Sequence, residues 1–304
     1  MTNVVVSVFV LTYNQEAYIA QTIENILNQK TTFNYQIVIG EDFSNDATRS
    51  ICEMFALKYP DKIKLLPALE KNIGLIANYM RTIKECNGKY IAICDGDDYW
   101  TDAYKLQKQV DFLEANPNFS IVYTNYKRLF PDGSFKDAVI LNKKPETNFD
   151  DLINNNYIHS VTAVLKNNQT IEPIPEWIIN HPYDDWPTYF CTIKTGGKIP
   201  FLDQVTAVYR VGIGVSAPII NANSKLLKTN LNILVDMLHD NSFKIKKEII
   251  IKSITKQKIH LMGSFNKEKS YRKAFVLLIN NLSLETNKLH LIKHYFYSVY
   301  KSFV

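Results

Sequence analysis

The fold is decided by a short apolar stretch that runs directly into an acidic turn, residues 88–100, which read GKYIAICDGDDYW. Residues 90–94 are apolar without alternation, which is typical of a strand covered on both faces, as in a parallel sheet. Asp95, Asp97 and Asp98 then place three carboxylates within four residues. Crowded negative charge is costly unless a cation or hydrogen bonds compensate it. The stretch therefore predicts a buried strand that ends in a ligand-binding turn, with a helix-capping loop as the alternative.

Strands and helices alternate around this stretch over the first hundred residues. The predicted strands lie at 4–11, 35–40, 62–66 and 90–94, and the predicted helices at 18–28, 44–59 and 75–86. This alternation predicts an α/β fold with a parallel sheet that is flanked by helices.

Polar clusters follow three of these predicted strands. Thr12–Asn14 follows the first strand, Glu41–Asp42 the second and Asp95–Asp98 the fourth. Ligands of parallel α/β sheets bind beyond the carboxyl ends of the strands. Because oxygen ligands favour Mg²⁺ or Mn²⁺, the sequence predicts a divalent cation at this edge. Gly96 allows the backbone to turn tightly and to approach a ligand closely.

The second half of the chain changes in character. Predicted strands lie at 119–124, 126–130, 161–165 and 205–209, with a helix at 186–194, and from residue 224 onward only helical patterns occur, at 225–239, 244–263, 268–282 and 285–302. We therefore predict a catalytic α/β domain over residues 1–220 and a basic helical region over residues 221–304.

Charge is distributed unevenly along the 304 residues. Residues 225–304 carry 15 Lys and Arg against 5 Asp and Glu, whereas the remainder carries 20 against 25. The basic residues avoid the predicted ligand-binding edge, so a nucleic-acid reader is disfavoured. The four scattered cysteines predict free buried thiols and a reducing compartment. No leader peptide or membrane span is recognisable, which predicts a cytoplasmic protein, in peripheral contact with the inner face of the plasma membrane if the tail docks there.

Four segments in order, residues 6–14, 41–48, 71–74 and 88–100, resemble the motifs of inverting glycosyltransferase family 2. The resemblance is good over residues 4–125 and weaker to about residue 215. It implies the GT-A fold, a mixed Rossmann-like sheet, and transfer of a hexosyl or N-acetylhexosaminyl group from a nucleotide-sugar donor. Uridine is the base that the family favours, and bacterial polysaccharide synthesis for the cell envelope is the expected setting.

The resemblance also implies roles for individual residues. The donor site would comprise Thr12, Tyr13, Asn14, Asp42, Asn72, Asp95, Gly96 and Arg210. Within it, Asp42 would accept a hydrogen bond from the base and Asp95 would approach the ribose or the donor sugar. Asp97 and Asp98 would be the metal ligands, of which Asp98 could instead cap a helix or act through water.

The general base is predicted within residues 181–188, HPYDDWPT. Asp185 matches the family's aspartate at the start of a helix, and Asp184 is its neighbour. A second carboxylate would raise the pKa of the base, whereas the N-terminal helix dipole would lower it, and both residues could simply cap the helix. Trp100 and Trp186 are predicted to stack on acceptor sugars, with core packing as the alternative.

Two departures from the family pattern leave a rival open. Tyr79-Met80 stands where the family carries Arg-Asn, and Gly212 stands where a histidine is usual in the loop after Arg210. A catalytically impaired nucleotide-sugar or carbohydrate-binding protein of the same fold is therefore the alternative function. A nucleotidyltransferase is disfavoured, because residues 12–16 are neither glycine-rich nor basic.

The acceptor is expected to be a glycan or a lipid-linked glycan, as is common in the family. Residues 290–304 interleave basic and aromatic residues, which is typical of helices that lie on a membrane surface. The alternative is a helical appendage that packs against protein with its lysines outward.

Overall fold

The strands of the described residues form one large mixed sheet. The computed structural model describes residues 4–138, 144–169, 171–214, 223–282 and 288–303. Within these ranges the strands are β1 (Val4–Thr12), β2 (Asn34–Glu41), β3 (Ile63–Leu65), β4 (Tyr90–Ile93), β5 (Tyr99–Trp100), β6 (Ile121–Leu129), β7 (Phe135–Asp137), β8 (Glu146–Thr147), β9 (Val164–Lys166) and β10 (Ile199–Arg210). They belong to a compact unit that spans Met1–Val215.

The sheet has the order β3-β2-β1-β4-β9-β6-β10-β5. Strands β3, β2, β1 and β4 are parallel, and β9 is antiparallel to both β4 and β6. Because β10 is parallel to β6, it runs in the same direction as β1 and β4. The carboxyl ends of β1, β2, β4 and β10 therefore meet at one edge, together with the residues that precede β9.

Helices cover the sheet because their apolar stripes match its buried faces. The helices of this unit are α1 (Ile19–Leu27), α2 (Thr48–Lys58), α3 (Leu75–Ile83), α4 (Lys105–Ala115), α5 (Phe149–Leu152) and α6 (Asp185–Ile193). Ile19, Ile23 and Ile26 of α1 are fully buried in one hydrophobic core with Val8 and Val10 of β1. Burial of one such side chain contributes about 1.5–3 kcal/mol, so this contact firmly fixes α1 beside the strand that leads into the polar edge.

The predicted α/β class and the free buried cysteines are confirmed, whereas four strand predictions change. The two predicted strands at 119–124 and 126–130 are one continuous strand, β6. The predicted strand at 161–165 divides into a 3-10 helix, Ser160–Thr162, and the short β9. The predicted strand at 205–209 is the end of the twelve-residue β10, which also pairs with β8.

The second compact unit spans Ser216–Val304 and is helical in its described residues. It contains α7 (Asn223–His239), α8 (Lys247–Lys267), α9 (Tyr271–Leu282) and α10 (Lys288–Lys301). Its own core is formed by Met262, Ala274, Leu278, Leu291 and Tyr295. Within the described ranges, no helix combines the length and the apolar character that a bilayer crossing requires. The predicted boundary near residue 220 lies outside the described residues.

Candidate active site

The acidic turn after β4 is held tightly against the end of β1. The backbone N–H of Gly96 donates to the carbonyl of Leu11 at 2.8 Å, and a Cβ on Gly96 would lie 2.8 Å from the Cβ of Thr12. Thr22 of α1 donates its hydroxyl to the carbonyl of Asp98 at 2.6 Å. A side chain at position 96 would therefore push the turn away from the sheet, which explains the glycine.

Asp98 and Arg210 join the turn to the end of β10. The backbone N–H of Arg210 donates to the Asp98 carboxylate at 2.9 Å, and the Arg210 guanidinium donates to the carbonyl of Asp97. The same guanidinium lies between the rings of Tyr18 and Tyr99, 4.7 Å from each centroid. These contacts already occupy Asp98 and Arg210. They favour positioning roles over the predicted direct contacts to a metal and to phosphate.

The Asp97 carboxylate lies beneath the segment that follows β10. Gly214 has a φ of +98°, and a Cβ there would lie 2.7 Å from Oδ2 of Asp97. Burial raises the pKa of Asp97, and the Arg210 charge acts in the opposite direction. Asp97 thus places a buried carboxylate beside the segment that follows β10, at the position where the sequence predicts the metal.

Asp97 fits a divalent cation that shares its coordination with a phosphorylated ligand. No group of three or more His, Cys, Asp or Glu side chains suited to a metal occurs among the described residues. Mg²⁺ sites typically use one or two protein carboxylates together with phosphate oxygens and water. The single hard oxygen donor of Asp97 matches that pattern better than an all-protein site.

The loop after β2 holds a second buried carboxylate, that of Asp42. It accepts hydrogen bonds from the backbone N–H groups of Ile73 and Gly74 and from the side-chain amide of Asn72, each at 2.9 Å. Burial raises the pKa of Asp42, and the two backbone N–H groups act in the opposite direction. The structure therefore brings the two predicted residues together, because Asp42 fixes the loop that carries Asn72. Asn72 itself is exposed.

The residues after β1 form a clip with the loop after β2. Asn14 adopts a φ of +51°, and its backbone N–H donates to the Ser44 hydroxyl at 2.9 Å. The Asn14 side-chain oxygen accepts from the backbone N–H of Asn45 at 2.9 Å. Thr12 donates to Gln15 at 2.7 Å, whereas Tyr13 remains partly exposed. Tyr13 and Asn14 are thus the members of this trio with exposed surface, and the Asn14 side chain is already bonded to Asn45.

The predicted base lies at the first turn of α6. Oδ2 of Asp185 accepts from the Asn156 amide at 2.8 Å, and Oδ1 accepts from the Trp186 backbone N–H at 2.7 Å. Burial raises the pKa of Asp185 above its usual value. Both oxygens are therefore held in fixed directions, while burial makes the ionised carboxylate a stronger base.

Asp95 and Asp184 link the acidic turn to this helix. Burial raises the pKa of Asp184 well above its usual value, and the negative charges of Asp95 and Asp185 add to the shift. Burial likewise raises the pKa of Asp95 to about 7, with Asp97 and Asp185 contributing, while the Ser160 hydroxyl donates to Asp95 at 3.2 Å. The fold thus brings carboxylates some ninety residues apart into one electrostatic cluster.

Tyr79, at a position where the family pattern differs, supports α6 from below. Its hydroxyl lies 2.6 Å from that of Thr188, which donates to the carbonyl of Asp184 at 2.7 Å. Tyr79 is therefore the donor to Thr188. This buried chain of hydrogen bonds fixes the N-terminus of α6. It gives a structural reason for Tyr79 at a position where the family pattern has a different residue.

The prediction that Trp100 and Trp186 stack on acceptor sugars is wrong. Trp100 is 1% exposed and donates its indole N–H to the carbonyl of Val161, and Trp186 is 0% exposed and donates to the carbonyl of Leu152. Pairing of β5 with β10 and packing of α6 on α5 cover the two rings. Neither has a face open to a sugar, so the core alternative is the correct one.

Several contributing residues were not predicted from the sequence. They are Gln15, Tyr18, Tyr99, Asn156 and Ser160. A run of three asparagines ending at Asn156 is a visible signal of a polar loop. Its contact with Asp185 depends on the packing of α5 against α6, which no local pattern reveals.

The chain is similar in sequence to a known protein family and to several of its relatives. The model of the family described as glycosyl transferase family 2 matches residues 7–168. TuaG of Bacillus subtilis, assigned as a teichuronic acid biosynthesis glycosyltransferase, is 32% identical over 68% of this chain and 79% of its own length. The β-1,3-glucosyltransferase WfaP of Escherichia coli, named as using UDP-Glc and α-D-GlcNAc-diphosphoundecaprenol, is 26% identical over 69% of this chain and 78% of its own.

A further relative is an uncharacterised protein of Mycobacterium tuberculosis, 32% identical over 67% of this chain. The matched region spans 58% of that relative's length.

Two solved structures resemble the fold at 18% identity. S. aureus TarS residues 1–349 in complex with UDP has a TM-score of 0.59 and is matched over 98% of this chain and 90% of that chain. The mannosyltransferase PcManGT from Pyrobaculum calidifontis, in complex with GDP-Man and Mn²⁺, also has a TM-score of 0.59, over 98% of this chain and 85% of that chain. The fold is thus the predicted GT-A fold, and the chain belongs to glycosyl transferase family 2.

Proposed function

We propose that the chain is an inverting glycosyltransferase that moves a hexosyl or N-acetylhexosaminyl group from a UDP-sugar to a hydroxyl of a glycan or lipid-linked glycan. The observation that carries the proposal is that Asp95 of the acidic turn lies close enough to Asp184 and Asp185 that, besides burial, the charges of these carboxylates raise the pKa values of Asp95 and Asp184. Family membership supports sugar transfer. The names of WfaP and TuaG support an acceptor of the cell envelope.

On the donor side, Asp97 would hold Mn²⁺ or Mg²⁺ against the diphosphate. The metal would supply Lewis-acid stabilisation for the negative charge that develops on the leaving nucleoside diphosphate. Arg210 and Asp98 keep the turn in place for this purpose. Tyr13, Asn72 and the loop fixed by Asp42 would contact the nucleoside, and Asp95 would face the transferred sugar.

On the acceptor side, Asp185 would act as the general base. A carboxylate oxygen of Asp185 takes the proton of the acceptor hydroxyl as that oxygen forms a bond to the anomeric carbon. The bond between the anomeric carbon and the diphosphate oxygen breaks at the same time, and its electron pair leaves with the nucleoside diphosphate. The hydrogen bonds from Asn156 and Trp186 direct the carboxylate.

A thermal-shift panel of UDP-, GDP- and dTDP-sugars, each with and without Mn²⁺, tests donor binding. We expect one UDP-sugar to raise the melting temperature most, with a larger shift in Mn²⁺. Release of UDP in the presence of glycan acceptors then tests transfer. Absence of any nucleotide-sugar shift would contradict the proposal, and donor binding without transfer would favour the impaired, binding-only alternative that Gly212 raises.

We also propose a membrane contact for the second unit. The helices α9 and α10 carry five cationic residues and no Asp or Glu. Large apolar side chains on them, and that of Phe303 just after α10, are at least half exposed. Those on the helices are Phe275, Val276, Ile279, Leu289, Phe296, Tyr297 and Tyr300. Contacts between rings, such as Tyr271 stacked on Phe303 at 5.8 Å, bring residues of both helices together. A cationic, aromatic surface is complementary to anionic lipid.

A further inference from the structure

Three aromatic side chains that the proposed donor site does not use meet beside the acidic turn. The ring of His159 lies 4.5 Å from that of Tyr126 and 4.2 Å from that of Tyr209, between centroids. The two tyrosine rings are 6.4 Å apart. All three residues are partly exposed, and they come from β6, the segment before β9, and the end of β10. The sheet therefore holds this aromatic cluster, Tyr126, His159 and Tyr209, in a fixed arrangement.

The aromatic cluster adjoins the reacting end of the proposed donor site through its chain neighbours. Ser160, next to His159, donates to Asp95 at 3.2 Å, and Arg210, next to Tyr209, donates to the carbonyl of Asp97. Burial raises the pKa of Tyr209 to about 12, and the charges of Asp98, Asp97 and Asp95 act in the same direction. The cluster is thus near enough to the carboxylates for their charges to act on it.

His159 gives the cluster a polar edge. Its Nδ1 is buried and has no hydrogen-bond partner among the described residues, and burial lowers the pKa of the imidazole to about 4. The ring is therefore neutral at physiological pH. Since a buried N–H without a partner is costly, the proton belongs on Nε2, which makes His159 a hydrogen-bond donor.

We infer that Tyr126, His159 and Tyr209 form the acceptor subsite, on which the apolar face of a pyranose ring packs while its hydroxyls meet the polar edges of the rings. This inference rests on the proposed function, because it concerns the acceptor of the same reaction. Flat aromatic faces with polar rims are suited to amphipathic ligands of this kind.

The aromatic cluster differs in exposure from the tryptophans that pack in the core of the first unit. Trp100 and Trp186 are covered, and each indole N–H has a partner. The three residues of the aromatic cluster are instead partly exposed, and they lie near the carboxylates of the acidic turn. A cluster that served packing alone would have no need of an open edge beside the carboxylates.

The test compares Tyr126→Ala and Tyr209→Ala with Tyr126→Phe and Tyr209→Phe, and Tyr104→Ala removes an exposed ring from the start of α4 as the control. The probes are the methyl β-glycosides of glucose, galactose and N-acetylglucosamine. Their binding is read by saturation-transfer NMR, and transfer to them by UDP release. We expect each Ala variant to raise the acceptor KM by about tenfold or abolish the saturation transfer, whereas the Phe variants and the control stay within about threefold.

Donor binding separates this inference from the proposed function. The melting-temperature shift produced by UDP and Mn²⁺ should be the same in all variants. Three results would each overturn the subsite. The first is unchanged acceptor binding in the Ala variants, and the second is loss of the UDP shift together with transfer. The third is the absence of saturation transfer to any glycoside in the wild type. No nucleotide-sugar shift in the wild type would overturn the proposed function instead.

Discussion

Asp97 and Asp98 are adjacent in the sequence, yet their carboxylates face different partners. Asp98 accepts the backbone N–H of Arg210, which fixes the end of β10 to the acidic turn. Asp97 instead faces the Gly214 segment, and its carboxylate accepts from its own backbone N–H and from the side chain of Gln15. At the residue scale, the sequence therefore predicts the acidic cluster but cannot divide it into a structural and a ligand-binding carboxylate. That division depends on where β10 ends.

Substitutions at these two positions should separate stability from binding. Asp98→Ala leaves the buried Arg210 N–H without its acceptor, and we expect a loss of about 1–3 kcal/mol in the free energy of unfolding. Asp97→Asn should keep that free energy nearly unchanged but abolish the Mn²⁺-dependent part of the UDP thermal shift. Urea unfolding and thermal shift measure the two effects. The reverse pattern would show that Asp98 holds the metal.

Asp185→Asn should preserve donor binding and remove most of the transfer activity. The amide keeps the shape of the side chain but cannot take a proton, and a general base typically contributes about 10²–10⁴-fold to the rate. The measurement is kcat for UDP release with acceptor, beside the UDP thermal shift. Asp61→Asn, an exposed carboxylate substitution, is the matched control. Transfer at the wild-type rate in Asp185→Asn would assign the proton transfer to another group.

Asp184→Asn should stabilise the protein in a pH-dependent manner. Burial and the charges of Asp95 and Asp185 raise the folded-state pKa of Asp184, so the folded protein binds its proton more tightly than the unfolded chain does. The contribution of this proton to the free energy of unfolding is fully present below the unfolded-state pKa of about 4. It is lost as the pH rises through the folded-state pKa.

The melting temperatures of wild type and Asp184→Asn should therefore agree near pH 4, and the variant should melt higher at pH 8. Asp61→Asn again controls for the loss of one charge. A difference that is constant across this range would mean that Asp184 keeps its ordinary pKa in the folded protein.

At the element scale, local patterns predict the parallel strands and their helices well, because each has its own apolar signature. The pairing of β9 with β4 and β6, and of β5 with β10, joins segments that are distant in sequence. Those pairings bury Trp100 and bring His159 and Ser160 to the polar edge. The position of the acidic turn at the ends of the parallel strands was therefore predictable from local patterns, but the positions of the partly exposed aromatic residues were not.

The segment after β10 depends on glycine for two separate reasons. Gly214 adopts a positive φ and passes close to Asp97, whereas Gly133 adopts a similar φ of +82° in a turn with open space around it. Alanine at either position should cost about 1–2 kcal/mol of stability through its backbone conformation. Only Gly214→Ala should also weaken the UDP and Mn²⁺ thermal shift, because its Cβ meets the Asp97 carboxylate. Equal shifts in both variants would remove this segment from the donor site.

At the scale of the whole molecule, the distribution of charge distinguishes the basic helical unit from the unit that holds the carboxylate site. Residues 225–304 carry a net charge of +10, whereas the residues before them carry −5 and hold the carboxylate cluster. Each of the two compact units has a hydrophobic core of its own. The cationic helices can therefore have a surface role that does not depend on the chemistry of the acidic site.

This separation predicts that membrane binding and sugar transfer can be uncoupled. The triple variant Phe296→Ser/Tyr300→Ser/Phe303→Ser removes exposed aromatic side chains from the end of the second unit, and Met54→Ser/Leu57→Ser removes exposed apolar side chains from α2 as the control. We expect the wild type to sediment with phosphatidylcholine vesicles only when phosphatidylglycerol is added, and less so in high salt, because screening weakens the attraction. The triple variant should bind such vesicles about tenfold more weakly, while its transfer to soluble methyl glycosides should stay unchanged. Equal sedimentation of the triple variant and the wild type would assign this face to a protein contact instead, since the exposed rings would then contribute nothing to lipid binding.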